Sequence, residues 1–292
     1  MAVFKSMLSA SDARPRAQFF SGNSRINFIR DALSLPTWLA LGAFAQAGLC
    51  LVIPTQLAVL PAFLYLATSL IDLLLVSQSV RANHRMDGVV VGKASAQIPG
   101  STTPASYPLL AIKLAARSNH PLGTAHPHLI KIGGFFQQMI RHLDDNSQDY
   151  NYLGAQTYLG VERATANEIM VMVYFRDYAG LHKFAHTAEV HKTAWRYWNK
   201  EVMKDPVAGR QFAIMHETLQ VPARSWESIY INYHPTGIGA TTFSVQTNSE
   251  DGIARTQWAN PLVDASRGVL STSKGRMAAS KGDEDLGYKT FE

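Results

Sequence analysis

Residues 168–175 read EIMVMVYF, eight residues without glycine or proline and rich in β-branched and aromatic side chains. This is the strongest strand signal in the chain, and Glu162–Asn167 reads as a turn before it. Upstream of that turn, Tyr152–Leu159 is a second strand. Before it, Leu129–Leu143 repeats apolar residues at helical spacing through Ile132, Phe136, Met139, Ile140 and Leu143. Tyr107–Ala115 is a strand at the start of the domain. Downstream, Tyr178–Met203 reads as one long helix ending before Asp205-Pro206. Arg210–Val221 and Trp226–Tyr233 follow as strands, separated by Pro222-Ala223-Arg224-Ser225. The order β-α-β-β-α-β with one extra strand is that of a ferredoxin-like α+β domain, assigned to residues 107–240. Two helices cover one face of its antiparallel sheet. The other face needs a partner, and a second copy of the chain supplies one in a homodimer.

Between Ala32 and Val80 only one of 49 residues, Asp72, is charged. Proline divides the segment: Leu35–Ile53 gives 19 residues and Leu57–Val76 gives 20, each about the length that crosses a bilayer. Residues 32–80 are therefore expected to form a transmembrane hairpin. Asp72 falls in its last turn, where a charge costs least. Lys5, Arg14, Arg16, Arg25 and Arg30 precede the pair, and Arg81, Arg85 and Lys93 follow it. The positive-inside rule then places both flanks in the cytoplasm, on the endoplasmic reticulum or a similar membrane. A cleaved signal sequence accounts for the first run alone and leaves the second unexplained.

Residues 1–31 read as a basic leader, 81–106 as a linker with small polar residues and proline, and 241–292 as a disordered tail. From Glu250 onward that tail carries six basic and seven acidic residues. The whole chain has 27 Lys and Arg against 22 Asp and Glu, but they form no basic stripe interleaved with aromatics, which argues against nucleic acid. One cysteine, Cys50, excludes a disulfide framework and a cysteine-rich metal site. No Rossmann glycine fingerprint, phosphate-binding loop, HExxH or GxSxG is present. No metal site is expected.

On a single helix, Phe184, Ala188, His191, Trp195, Trp198 and Val202 share one stripe, and His182 and His186 fall opposite it, toward solvent. His191 is either a satisfied buried histidine or a functional one. On the next strand Phe212, Ile214, His216 and Thr218 alternate onto one face, with Glu217 on the other, free to make an ion pair across a dimer. Trp226, Ser228, Tyr230 and Asn232 share a face of the last strand, a mixture suited to a pocket wall.

HKTAW at 191–195, HET at 216–218, Pro222 and ESIYINYHPTGIG at 227–239 resemble a family of membrane-associated monooxygenase-like proteins of fungal secondary metabolism. That family is grouped with the antibiotic-biosynthesis monooxygenases of the dimeric α+β barrel superfamily. Where its members commonly have WHETY this chain has MHETL, so no role carries over to Met215 or Leu219. The resemblance implies a membrane-anchored monooxygenase that oxidises a lipophilic polyketide, polyene or terpenoid with O₂ and no organic cofactor. His216 is then the expected base, His191 an orienting partner, and Tyr230 and Asn232 oxyanion donors. Trp195, Trp198, Phe212 and Ile214 are expected to bind substrate. A haem-binding or haem-degrading barrel, with His191 or His216 as axial ligand, and a non-catalytic membrane scaffold of a biosynthetic pathway are the alternatives.

Overall fold

The computed structural model describes residues 3–17, 26–27, 29–30, 32–160, 168–248 and 254–278. The expected turn at 162–167 and the tail beyond 278 lie outside them. In chain order the elements are α1 (Leu35–Val52), α2 (Thr55–Ser77), β1 (Val90–Ala96), β2 (Leu109–Ser118), α3 (Pro127–Asp145), β3 (Tyr152–Leu159) and β4 (Glu168–Phe175). Then come α4 (Tyr178–Thr187), α5 (Glu189–Tyr197), β5 (Phe212–Val221), β6 (Tyr230–Tyr233), β7 (Phe243–Asn248), β8 (Ala254–Ala259) and β9 (Leu262–Asp264).

Strands β3-β4-β2-β5 form an antiparallel sheet in that order, with α3 following β2 in the chain and α4–α5 following β4. This is the ferredoxin-like arrangement. Alternation along β4 buries Ile169, Val171, Val173 and Phe175 and leaves Met170, Met172 and Tyr174 half-buried on the outer face. Leu110 and Ile112 of β2 join Val171, Val173 and Phe175 against Ile140 and Leu143 of α3 and Phe184 of α4. In the β2–β5 register Leu114 lies opposite His216 and Ile112 opposite Thr218. His216 therefore shares the helix-facing row. Glu217 points to the outer face and pairs with Lys113 of its own chain at 3.6 Å.

The single helix expected over 178–203 is broken. Ala188 is extended (φ −72°, ψ 120°) and buried, α5 starts at Glu189, and Trp198–Val202 is a π-helical turn. Neither proline nor glycine marks the break, so apolar spacing alone could not reveal it.

Parts of the expected linker, tail and leader are built into the domain. β1, inside the expected linker, is the centre of a three-stranded sheet ordered β6-β1-β9, and its Ala94, Ser95 and Ala96 are fully buried. Small residues that resemble a linker are also those that allow strands to be packed closely. Within the expected tail, β7 and β8 form a hairpin, β9 pairs with β1, and buried Arg276 meets Glu227 at 2.5 Å. Within the leader, Ser11 bridges to Trp258, and the Met7 amide donates to the Leu262 carbonyl at 2.8 Å. Arg14 forms a buried ion pair with Asp144 and lies over the rings of Tyr152 and Trp258. Burial raises the Asp144 carboxyl above its usual range, against the pull of Arg14 and of the Ala17 amide.

Helices α1 and α2 are long and apolar enough to cross a membrane, and none of α1 is buried. Pro36 opens α1, Pro54 caps α2, and Asp72 is ion-paired with Arg81 just beyond the end of α2.

Candidate active site

Between the helices and the β2–β5 half of the sheet lies an apolar cavity of about 820 Å³. Phe135, Phe136 and Met139 of α3 form one wall, and Ile112, Leu114, Ile214, His216 and Thr218 form the floor. The remaining wall comes from α4, α5 and the turn after them, with Leu181, Ala185, His191, Trp195 and Trp198.

The break at Ala188 prepares this wall. The last carbonyls of a helix lack intrahelical partners, and that of Ala185 accepts a hydrogen bond from His191 Nδ1 at 2.8 Å. A carbonyl can only accept, so Nδ1 carries the proton and the neutral ring keeps its lone pair at Nε2. Burial lowers the His191 pKa from 6.5, the Ala185 hydrogen bond opposes this, and His186 and His216 lower it further. The result is a half-buried imidazole of fixed tautomer on an apolar wall, neutral near pH 7.

Of the residues read as a site from sequence, His191, His216, Trp195, Trp198 and Ile214 surround this one cavity. Phe212 does not. It is buried with Leu129, Ile132 and Ala208, and its ring packs at a tilt against that of His126, with centroids 4.6 Å apart. Tyr230 and Asn232 belong to a different sheet, because β6 pairs with β1 and not with β5. The Tyr230 hydroxyl donates to the Thr236 carbonyl at 3.0 Å and accepts from the Gly239 amide at 2.9 Å. A Cβ on Gly239 would sit 2.8 Å from the Tyr230 ring, so the loop after β6 needs glycine there. Asn232 has φ +49°, and its Oδ1 accepts from the Gly92 amide at 2.8 Å where the β1–β6 pairing is irregular. These side chains hold the loop and the bulge in place.

Other residues were missed. Tyr178, His182 and His186 also line the cavity, with the two histidine rings 4.1 Å apart. Both histidines are exposed, as their place opposite the stripe implies, and they border the cavity at its open side. The α3 repeat, legible as a core stripe, is also the cavity wall. Among the described residues no three His, Cys, Asp or Glu side chains are grouped to hold a metal ion.

A family described as Monooxygenase af470-like matches residues 109–238, the span that contains all of this cavity. Monooxygenase af470 of Aspergillus fumigatus is 30% identical over 255 residues, which cover 86% of this chain and 89% of that protein. Among solved structures, an aldoxime dehydratase in complex with butyraldoxime aligns with TM-score 0.37 and 14% identity, over 51% of this chain and 39% of that one. SnoaB, a cofactor-independent oxygenase from Streptomyces nogalater, aligns with TM-score 0.25 and 6% identity, over 39% of this chain and 91% of that one. Likenesses this partial carry no argument about chemistry.

Proposed function

The chain belongs to the Monooxygenase af470-like family, and from that premise we propose that it is a membrane-anchored monooxygenase acting on a lipophilic substrate whose own electrons reduce O₂. The observation that carries this reading is the hydrogen bond from His191 Nδ1 to the Ala185 carbonyl, which leaves Nε2 as a free acceptor on the wall of an apolar cavity.

A substrate with an acidic C–H or phenolic O–H loses its proton to Nε2. The carbanion or phenolate then donates an electron to O₂, and the two radicals combine to a peroxide. Loss of water converts a methylene to a carbonyl: one oxygen atom enters the product, the other leaves as water, and both electron pairs come from the substrate and its C–H bonds. An apolar cavity suits this step, because a desolvated anion is a stronger reductant than a hydrated one. The sequence favours His216 as the base; the proposal reverses that order. His216 lies on an exposed edge strand, whereas His191 is half-buried with its tautomer fixed. His216 and the indoles of Trp195 and Trp198 are the proposed partners for the substrate oxyanion.

The proposed substrate class is a polyketide, polyene or terpenoid intermediate of secondary metabolism, and a homodimer joined through the outer sheet face is the proposed assembly. Two membrane spans at residues 35–77 fit a substrate that partitions into lipid. Contacts between the described residues of 3–17 and of 90–278 support a hairpin that enters and leaves on the same side, proposed to be the cytoplasmic one.

Anthrone, an apolar carbon acid, is a suitable probe. Purified full-length protein is expected to accelerate its oxidation to anthraquinone with uptake of one O₂ per product and no added reductant. An absorption spectrum of the same sample tests the haem alternative, in which His191 or His216 would hold the group; a Soret band that tracks activity would replace the proposed mechanism.

A further inference from the structure

Resting on the reading of this cavity as a site for a lipophilic substrate, we infer that the cavity mouth is a lipid-docking surface, seated on the anionic face of the same bilayer that the hairpin enters. Tyr178 and Trp195 line the cavity yet are 51% and 43% exposed, and Ile214 on edge strand β5 is 39% exposed. Two aromatic side chains and one aliphatic one thus border the cavity without a cover. A clustered apolar rim of this kind marks an interaction surface, and Trp and Tyr are the side chains that settle at the headgroup level of a bilayer.

The occupant follows from how the domain is tethered. Only residues 78–89 separate α2 from β1, and twelve residues reach about 40 Å even when fully extended. On the other side of the hairpin, residues 3–17 are bound into the domain through Met7, Ser11 and Arg14. With both ends of the hairpin tied, the domain stays at the membrane surface and must present some face to it. The segment from Tyr178 to Arg210, which supplies Tyr178 and Trp195, carries six Lys or Arg against three Asp or Glu. That basic excess is complementary to anionic headgroups. A substrate dissolved in the bilayer then passes between Tyr178 and Trp195 into the cavity without crossing water.

The test uses the full chain in nanodiscs of phosphatidylcholine and phosphatidylserine. In a Cys50→Ser background, Ala179→Cys places an environment-sensitive fluorophore beside Tyr178, and Gln246→Cys places one on β7. A label on native Cys50, within α1, reports insertion in a parallel sample. The Ala179→Cys label should emit at shorter wavelength than the Gln246→Cys label and lose most of its emission when the lipid is brominated. A water-like, unquenched signal at Ala179→Cys overturns the inference. So does a blue-shifted signal that brominated lipid leaves untouched, since that shows a protein cover such as a second copy. Quenching without anthrone oxidation keeps the docking surface and removes the proposed activity; oxidation without quenching removes the docking surface alone.

Discussion

His191 donates from Nδ1 to the carbonyl of Ala185 at 2.8 Å, across the one-residue break that separates α4 from α5. The same contact completes a helix end and fixes which imidazole nitrogen is free. Replacing His191 with Gln should therefore lower anthrone turnover by roughly 10² to 10⁴, the range for loss of a positioned base. His216→Gln should cost less. Circular dichroism of both variants separates loss of chemistry from loss of fold, and equal losses in the two would return the role of base to His216.

The pH dependence has a defined sign. Burial, His186 and His216 hold His191 below its ordinary pKa of 6.5, so its neutral form persists into mildly acidic solution. The acid limb of kcat/KM should fall with a midpoint below 6.5, and the limb should vanish in His191→Gln. A midpoint above 6.5 would show that the imidazolium is stabilised, against the burial described.

Arg14 joins a segment before α1 to the end of α3. Its ion pair with Asp144 is almost fully buried, and Arg14→Ala leaves the carboxylate with the Ala17 amide but no counter-charge, a change that costs about 3–5 kcal/mol in such settings. Thermal denaturation should reveal this as a large loss of stability, and Arg14→Ala with Asp144→Asn should recover part of it. A chain that starts after residue 17 should be destabilised in the same way.

His126 caps the first turn of α3: its Nδ1 accepts from the His128 amide at 3.2 Å, and His120 stands with its ring 4.5 Å away. Burial and the neighbouring His120 and His128 lower its pKa from 6.5, with Asp205 acting in opposition. Between the folded value and 6.5 the unfolded chain binds more protons, so stability falls as pH drops below 6.5. Denaturant titrations at pH 5 and 7.5 should show this slope. His126→Asn, which retains a capping oxygen, should flatten it.

Much of the sheet was legible because β2, β4 and β5 alternate at strand period and α3 repeats at helical period. Alternation groups His216 with Phe212 and Ile214 but leaves open which face of β5 meets the helices; the pairing of His216 with Leu114 decides it. Tyr230 and Asn232 share a motif and a strand, but which strand β6 pairs with depends on β1, a partner about 140 residues away in the chain that small residues disguise as a linker. His182 and His186 are exposed as the wheel implies, but their place beside the cavity is not legible, since a wheel drawn through Ala188 assumes that the helix continues. Arg14, which closes the N-terminal segment onto the domain, resembled any other basic residue of a leader, because nothing local in sequence announces a partner at Asp144.

Oxidation of anthrone under ¹⁸O₂ by the full-length protein, without flavin, nicotinamide or added metal, tests the central claim most directly. The account predicts anthraquinone with one ¹⁸O atom per molecule, formed faster than in buffer and slowed in His191→Gln. Product free of ¹⁸O, or a rate that His191→Gln leaves unchanged, would contradict it.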